Sequence, residues 1–210
     1  MSTFLRNPPW SGGMPALRGA RVYLRPPQPG DWAEWARLRA ESRAFLAPWE
    51  PIWADDELTR NGYRRRLRRY NRDAQEGYGY VFFVFRAADD ALLGGLTLSN
   101  VRRGVTQSCS LGYWTGKPYA GNGYMTDALG TVLQFVFDSL GLHRLEAACL
   151  PGNERSKAVL RRVGFSEEGL ARQYLKINGA WRDHVLFGLL ASDPRPTQKP
   201  KGKPPRGLYA

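Results

Sequence analysis

The sequence predicts a mixed α/β domain built on one sheet. Runs rich in β-branched and aromatic residues alternate with helix-period stretches along most of the chain. No run of about 18 apolar residues interrupts them, so no membrane-spanning helix is expected. With 42% hydrophobic and 24% charged residues in a chain of 210, the composition is that of one globular domain with tails.

RVYLRPP (21–27) alternates apolar and polar residues and reads as the first strand. GDWAEWARLRAESRAF then opens a helix, with Asp31 and Glu34 at capping-box spacing. A second helix covers 60–72, where Tyr63, Leu67 and Tyr70 fall at helical spacing. YVFFVFR (80–86), LLGGLTLSNV (92–101) and CSLGYWT (109–115), joined by short polar turns, predict an antiparallel meander. Met125 to Leu140 is helical, with Met125, Leu129, Val132, Val136 and Leu140 on one face. RLEAACL (144–150) reads as a buried strand. Asn153 caps a further helix, whose apolar side is Ala158, Val159, Leu160 and Val163, and Gly164 closes it. Two last strands, about 167–177 and 180–190, meet at Asn178-Gly179, a strong hairpin signal. The order is β-α-α-β-β-β-α-β-α-β-β. Residues 1–16 read as a flexible segment without a signal-peptide core, 17–192 as the domain, and the Pro- and Lys-rich 193–210 as a disordered basic tail.

A net charge of +12 and a pI near 10.1 imply acidic partners. Residues 60–72, RNGYRRRLRRYNR, hold seven arginines and no acid. This basic face and the tail read either as solvated surface or as sites of transient contact with RNA or the ribosome. Cys109 and Cys149 lie in apolar, strand-like runs and read as buried free thiols of a cytoplasmic protein. His143 and His184 are the only histidines, so a His/Cys metal centre is not expected.

YAGNGYM (119–125) places Gly121, Asn122 and Gly123 just ahead of the long helix. A helix N-terminus presents N–H groups without partners and a partial positive charge. Glycines there let an anion approach the backbone, so the turn reads as a phosphate cradle or as a plain structural turn. It lacks the third glycine of a dinucleotide fingerprint and the Gly-Lys-Ser/Thr of a P-loop.

The order of elements, the AGNG turn and PGNERSKAVLRRVGF after the next strand together resemble the GNAT acetyltransferases. FLAPWEP (45–51), LSNVRRG (98–104), LGYWTGK (111–117), HRLEA (143–147) and NGAWRDHVL (178–186) resemble the RimJ/RimL branch, most of all its RimJ side. The resemblance covers about residues 17–192. It implies a GNAT fold: a mostly antiparallel sheet of about seven strands, flanked by about four helices, with splayed central strands. It also implies direct transfer from acetyl-CoA, without a metal, to the N-terminal amine of a ribosomal protein that starts with alanine. The protein is expected to be a monomer or weak dimer that does not bind membranes.

The resemblance carries residue roles with it. The pyrophosphate loop falls on Ala120 to Met125, with Gly123 at its central glycine, so the amides of Gly121, Asn122, Gly123, Tyr124 and Met125 are expected to hold the phosphates. Ala120 stands where the family has Arg or Gln, and Lys117, Arg155 and Lys157 are the nearby cations that can replace that contact. Backbone groups of Leu111, Gly112 and Tyr113 are expected to pair with the pantetheine arm, and Asn153 to touch CoA. Leu160 occupies the position of the proton-donating tyrosine found in many relatives, and Ser156 matches the serine proposed for that task in this branch.

An N-terminal amine titrates near 7.7–8.0, so it loses its proton at pH 7 for only about 1.4 kcal/mol, and a modest base suffices. The candidate carboxylates are Glu50 in the PWEP loop, Glu146 on a central strand and Asp183 in WRDH, of which Glu50 is preferred. Glu50 is expected to attract the cationic amine and to take its proton. Two other functions fit parts of the sequence: acetylation of a small amine such as a polyamine or aminoglycoside, and a non-enzymatic role as a ribosome- or RNA-associated module.

Overall fold

Among the described residues eight strands form one sheet, in the order β1-β2-β3-β4-β5-β6-β8-β7. The computed structural model describes residue 14 and residues 16–195. The expected flexible segment 1–16 and tail 193–210 lie outside these, apart from Met14, Ala16 and residues 193–195. The strands are β1 (Leu17–Arg18), β2 (Val22–Arg25), β3 (Tyr80–Arg86), β4 (Leu92–Arg102), β5 (Ser108–Thr115), β6 (Arg144–Cys149), β7 (Ser166–Ile177) and β8 (Ala180–Leu190). The helices are α1 (Trp32–Glu41), α2 (Arg43–Leu46), α3 (Arg60–Gln75), α4 (Tyr124–Gln134) and α5 (Glu154–Arg162). The strand beyond the expected seven is the two-residue β1, which pairs Leu17 with Leu24.

Both faces of the sheet are covered, which explains the unbroken apolar run of β3. Tyr80, Phe82 and Val84 point into one core with α4 and α5, where Phe135 meets Tyr80 and Phe82 edge-on. Phe83 and Phe85 point into a second core with Trp35 and Leu38 of α1 and Tyr63 and Leu67 of α3. Alternate residues of one strand thus serve two helical layers. Tyr63 and Leu67 are the buried stripe expected of the arginine-rich helix.

Two local expectations change. Asp31 makes no side-chain cap to α1. Its carboxylate instead accepts from the Gln28 amide at 2.7 Å and binds Arg25 through both oxygens, while Glu34 accepts from the Leu92 amide at 2.8 Å. The spacing of a capping box is present, but an arginine and a strand amide compete for both carboxylates. The long helix is α-helical only to Gln134 and widens to a π-helix over Phe135–Ser139. The wider turn lets Phe135, Val136 and Phe137 all be buried, which a regular stripe does not allow.

One feature of the topology creates the site. Every neighbouring pair is antiparallel except β5 and β6, which run parallel from Ser108 opposite Arg144 to Leu111 opposite Ala147. Beyond Leu111 the two strands part: Gly112 to Thr115 continue on β4 alone, and Ala148 and Cys149 on β8 alone. The expected splay is therefore present.

Candidate active site

A cavity of about 690 Å³ occupies the splay, and its wall draws residues from both sides of the sheet. On the α4–α5 side its wall is the turn ahead of α4. Gly121 and Gly123 have φ of +82° and +77°, a conformation that glycine adopts without strain. Gly123 is the N-cap of α4, and no side chain caps that end. Among the described residues no backbone acceptor takes the N–H groups of Gly121, Asn122 or Gly123. The turn is braced from behind: the Arg21 guanidinium donates to the Asn122 carbonyl at 2.8 Å, and the Asp127 carboxylate accepts from the Ala20 and Arg21 amides. A rigid turn with free amides at a helix N-terminus suits a phosphate.

Beside it, α5 begins at Asn153, whose Oδ1 accepts from the Ser156 amide at 3.1 Å. The Ser156 hydroxyl lies 2.8 Å from the Tyr113 hydroxyl, and both residues line the cavity. Burial pushes the Tyr113 ionisation upward, so this phenol keeps its proton and orients Ser156. Of the expected cations, Arg155 reaches the cavity wall, whereas Lys157 pairs with Glu154 and Lys117 does not line the cavity.

The opposite mouth is built from the loop after α2 and from the β7–β8 hairpin. Asn178 and Gly179 form its turn with φ of +45° and +81°. The Asn178 amide donates to the Glu50 carbonyl at 2.9 Å and ties the loop to the hairpin. The Glu50 carboxylate lines the cavity but is clamped. Arg39 donates to both oxygens at 2.7 Å and the Trp53 indole to Oε2 at 2.8 Å. Arg39 is only 6% exposed, with Trp53 and Trp114 rings at 4.2 and 4.9 Å from its guanidinium carbon. A carboxylate offers about four acceptor positions, so one, on Oε1, is left for a ligand. The sequence suggests that this group both attracts the amine and takes its proton, and here three of its acceptor positions are already filled.

The other candidate bases are absent from this cavity's wall. Glu146 pairs with Arg144 and Arg102, and Asp183 accepts from the Gln173 amide at 2.8 Å beside a smaller pocket. The wall does include His184, which no sequence motif singles out. The expected cysteines are free and buried, and burial pushes the Cys109 thiol up to about 12.

Residues 21–166 match the acetyltransferase (GNAT) domain family. The chain belongs to the GNAT acetyltransferase family. It is 38% identical over 177 residues to the probable N-acetyltransferase YjcK of Bacillus subtilis, across 84% of this chain and 98% of that one. It is also 38% identical over 154 residues to the [ribosomal protein uS5]-alanine N-acetyltransferase of Escherichia coli, across 73% of this chain and 79% of the relative. Mycobacterium smegmatis RimJ, solved in complex with CoA-disulfide, superposes with a TM-score of 0.78 at 36% identity, covering 84% of this chain and 86% of that one.

As a GNAT enzyme the chain is an acyltransferase. Among its GNAT positions, Leu111 is the last β5 residue paired to β6, so Gly112 and Tyr113 carry the exposed backbone edge. Met125 turns its side chain into the main core. Leu160, also on the wall, is 1% exposed and brings no hydroxyl, which leaves Ser156 and Tyr113 as the hydroxyls beside α5. No helix among the described residues is long and apolar enough to cross a membrane.

Proposed function

We propose that this protein transfers the acetyl group of acetyl-CoA directly to the N-terminal α-amine of a protein, a ribosomal protein that begins with alanine. The observation that carries the reading is the chemical difference between the two mouths of one through-sheet cavity. Free turn amides and a hydroxyl pair line one side, and a fixed carboxylate and aromatic rings line the other. The first suits a phosphate-bearing thioester and the second a cationic amine. The E. coli relative, named for acting on an alanine of uS5, supports the choice of acceptor.

In this reading the amides of Gly121 to Met125 hold the pyrophosphate, and the β5 edge beyond Leu111 pairs with the pantetheine arm. Asn153 fixes the start of α5, and the Ser156 hydroxyl gives its proton to the departing thiolate. The last acceptor position of Glu50 Oε1 draws in and holds the ammonium, a role its clamp favours over taking the proton. Replacing Glu50 by Gln keeps the size and removes the charge. The peptide KM is expected to rise about 10- to 100-fold, the worth of one charge-assisted hydrogen bond, with kcat little changed. A collapse of kcat at constant KM is the contrary result and would return the proton-taking role to Glu50.

The function itself is tested by coenzyme A release from acetyl-CoA with alanine-starting peptides, polyamines and aminoglycosides. Turnover confined to the small amines rejects the acceptor proposed here.

The exposed arginines of α3 are proposed to bring the enzyme to ribosomal RNA. Arg64 and Arg68 make no ion pair among the described residues, while Arg65 and Arg66 pair with Asp56 and Glu57. Changing Arg64, Arg65, Arg68 and Arg69 to Gln is expected to flatten the salt dependence of co-sedimentation with small ribosomal subunits, and to leave turnover of a free peptide unchanged. Sedimentation of the unaltered enzyme that is indifferent to salt would make the helix a solvated face.

A further inference from the structure

We propose that His184 is the proton acceptor for the incoming amine. The inference rests on the reading of this cavity as a site of acetyl transfer to an amine. His184 lies on β8, next to Val185, which stands opposite Cys149 of β6 and points into the α4–α5 core. Neighbours on a strand face opposite ways, so the imidazole points to the other side of the sheet, the side of the amine. It lines the cavity and is 3% exposed.

Its tautomer is set by geometry. Nδ1 lies 3.0 Å from the carbonyl oxygen of Arg182, which can only accept, so Nδ1 carries the hydrogen and Nε2 of the neutral ring keeps its lone pair. The edge-on ring of Tyr174, 5.8 Å away, holds the imidazole plane. Among the described residues no group hydrogen-bonds to Nε2. The competing carboxylates are engaged: Glu50 by Arg39 and Trp53, and Glu154 by Lys157. The remaining titratable or charged groups on the walls are Tyr113, Tyr119, Tyr124, Cys149, Arg155 and Arg162. The tyrosines offer O–H donors and the arginines are permanently cationic, and burial pushes both Tyr113 and Cys149 upward. His184 is thus the wall group that is both unengaged and able to take a proton.

The protons balance. The bound ammonium gives one proton to Nε2, which passes it to water. As the nitrogen lone pair forms the C–N bond, the second proton leaves by the same route. The C–S bond breaks, its electron pair stays on sulfur, and sulfur takes a proton from Ser156, which water restores. One proton ends on the thiol and one in solvent.

The test is steady-state kinetics of His184→Gln with an alanine-starting peptide, alongside calorimetry with acetyl-CoA. Glutamine can replace the ring's hydrogen bond but not its basicity. At pH 7 kcat is expected to fall about 10²- to 10⁴-fold with acetyl-CoA affinity unchanged, and the deficit to shrink toward pH 9, where the free amine predominates. A folded variant with normal kcat, or with only a raised peptide KM at every pH, overturns the inference and leaves the acetyltransferase reading intact. If the unaltered enzyme itself releases no coenzyme A with any amine, that underlying reading is the one that fails. Should His184→Gln not fold, His143→Gln serves instead. It removes the exposed histidine and leaves His184 as the only imidazole. Diethyl pyrocarbonate is expected to abolish its activity in step with modification of that one ring, and bound peptide to protect it. Activity that survives complete modification overturns the inference.

Discussion

Valine at position 123 is expected to weaken acetyl-CoA binding by about 100-fold or more. Gly123 sits at φ +77°, where a β-branched residue is strained whatever the space around it. An added Cβ would lie 3.0 Å from the end of the Arg21 guanidinium, a flexible neighbour, so the conformation and not the clash decides the outcome. To relieve the strain the turn must rotate, and the amides proposed to hold the pyrophosphate rotate with it. Losing two charge-assisted hydrogen bonds at the weaker end of their range costs about 3 kcal/mol, which is about 100-fold in Kd. Calorimetric titration of acetyl-CoA into folded Gly123→Val measures this directly. Gly104→Ala is the control, because an added Cβ there meets nothing within 4 Å. Equal affinity in the two variants would show that the turn is only a turn.

Removing the Ser156 hydroxyl is expected to lower kcat about 10²- to 10⁴-fold, the usual worth of a positioned proton donor. Ser156→Ala keeps the helix, because alanine suits the first turn of α5 and the Asn153 cap bonds to the backbone amide at 156 and not to the side chain. Acetyl-CoA affinity is therefore expected to stay within a few-fold. Tyr113→Phe removes the partner 2.8 Å away and leaves the serine in place, so a smaller fall in kcat is expected. The order of the two effects is the informative result. If Tyr113→Phe proves the more damaging, the phenol is the donor and the serine supports it. If neither matters, water protonates the thiolate.

The sequence carries the sheet and the cosubstrate side of the cavity far better than the acceptor side. Strand β3 and strand β8 begin and end at the expected residues, because apolar runs bounded by turn residues are local signals. Gly121 to Gly123 and Asn153 are legible for the same reason: left-handed turns and N-caps leave a mark within a few residues. The acceptor side depends on pairs far apart in the chain. Arg39 reads in sequence as one more charge on an amphipathic helix, and nothing local says that its guanidinium will meet two tryptophan rings and clamp Glu50. His184 is silent for a similar reason. A histidine between Asp183 and Val185 on a strand acquires meaning only from the carbonyl it meets and the face it takes. Tyr113 was expected for its backbone, and its hydroxyl gains a role only once α5 lies against β5.

The short parallel seam between β5 and β6 also has a mechanical consequence. Among the described residues it is the only ladder joining β1–β5 to β6–β8, so the two wings of the sheet are fastened over Ser108–Leu111 and unfastened from Gly112 onward. In the proposed reading, a pantetheine arm laid along the open edge of β5 would act as a temporary strand and lengthen that seam. Ligand occupancy would then change the rigidity of the whole sheet as well as the active site. A cosubstrate at 100 times its Kd adds about 2.7 kcal/mol to stability by mass action. Here the gain should concentrate in backbone amides that flank the gap, so hydrogen exchange at Gly112–Thr115 and Ala148–Cys149 would slow together when the cosubstrate binds.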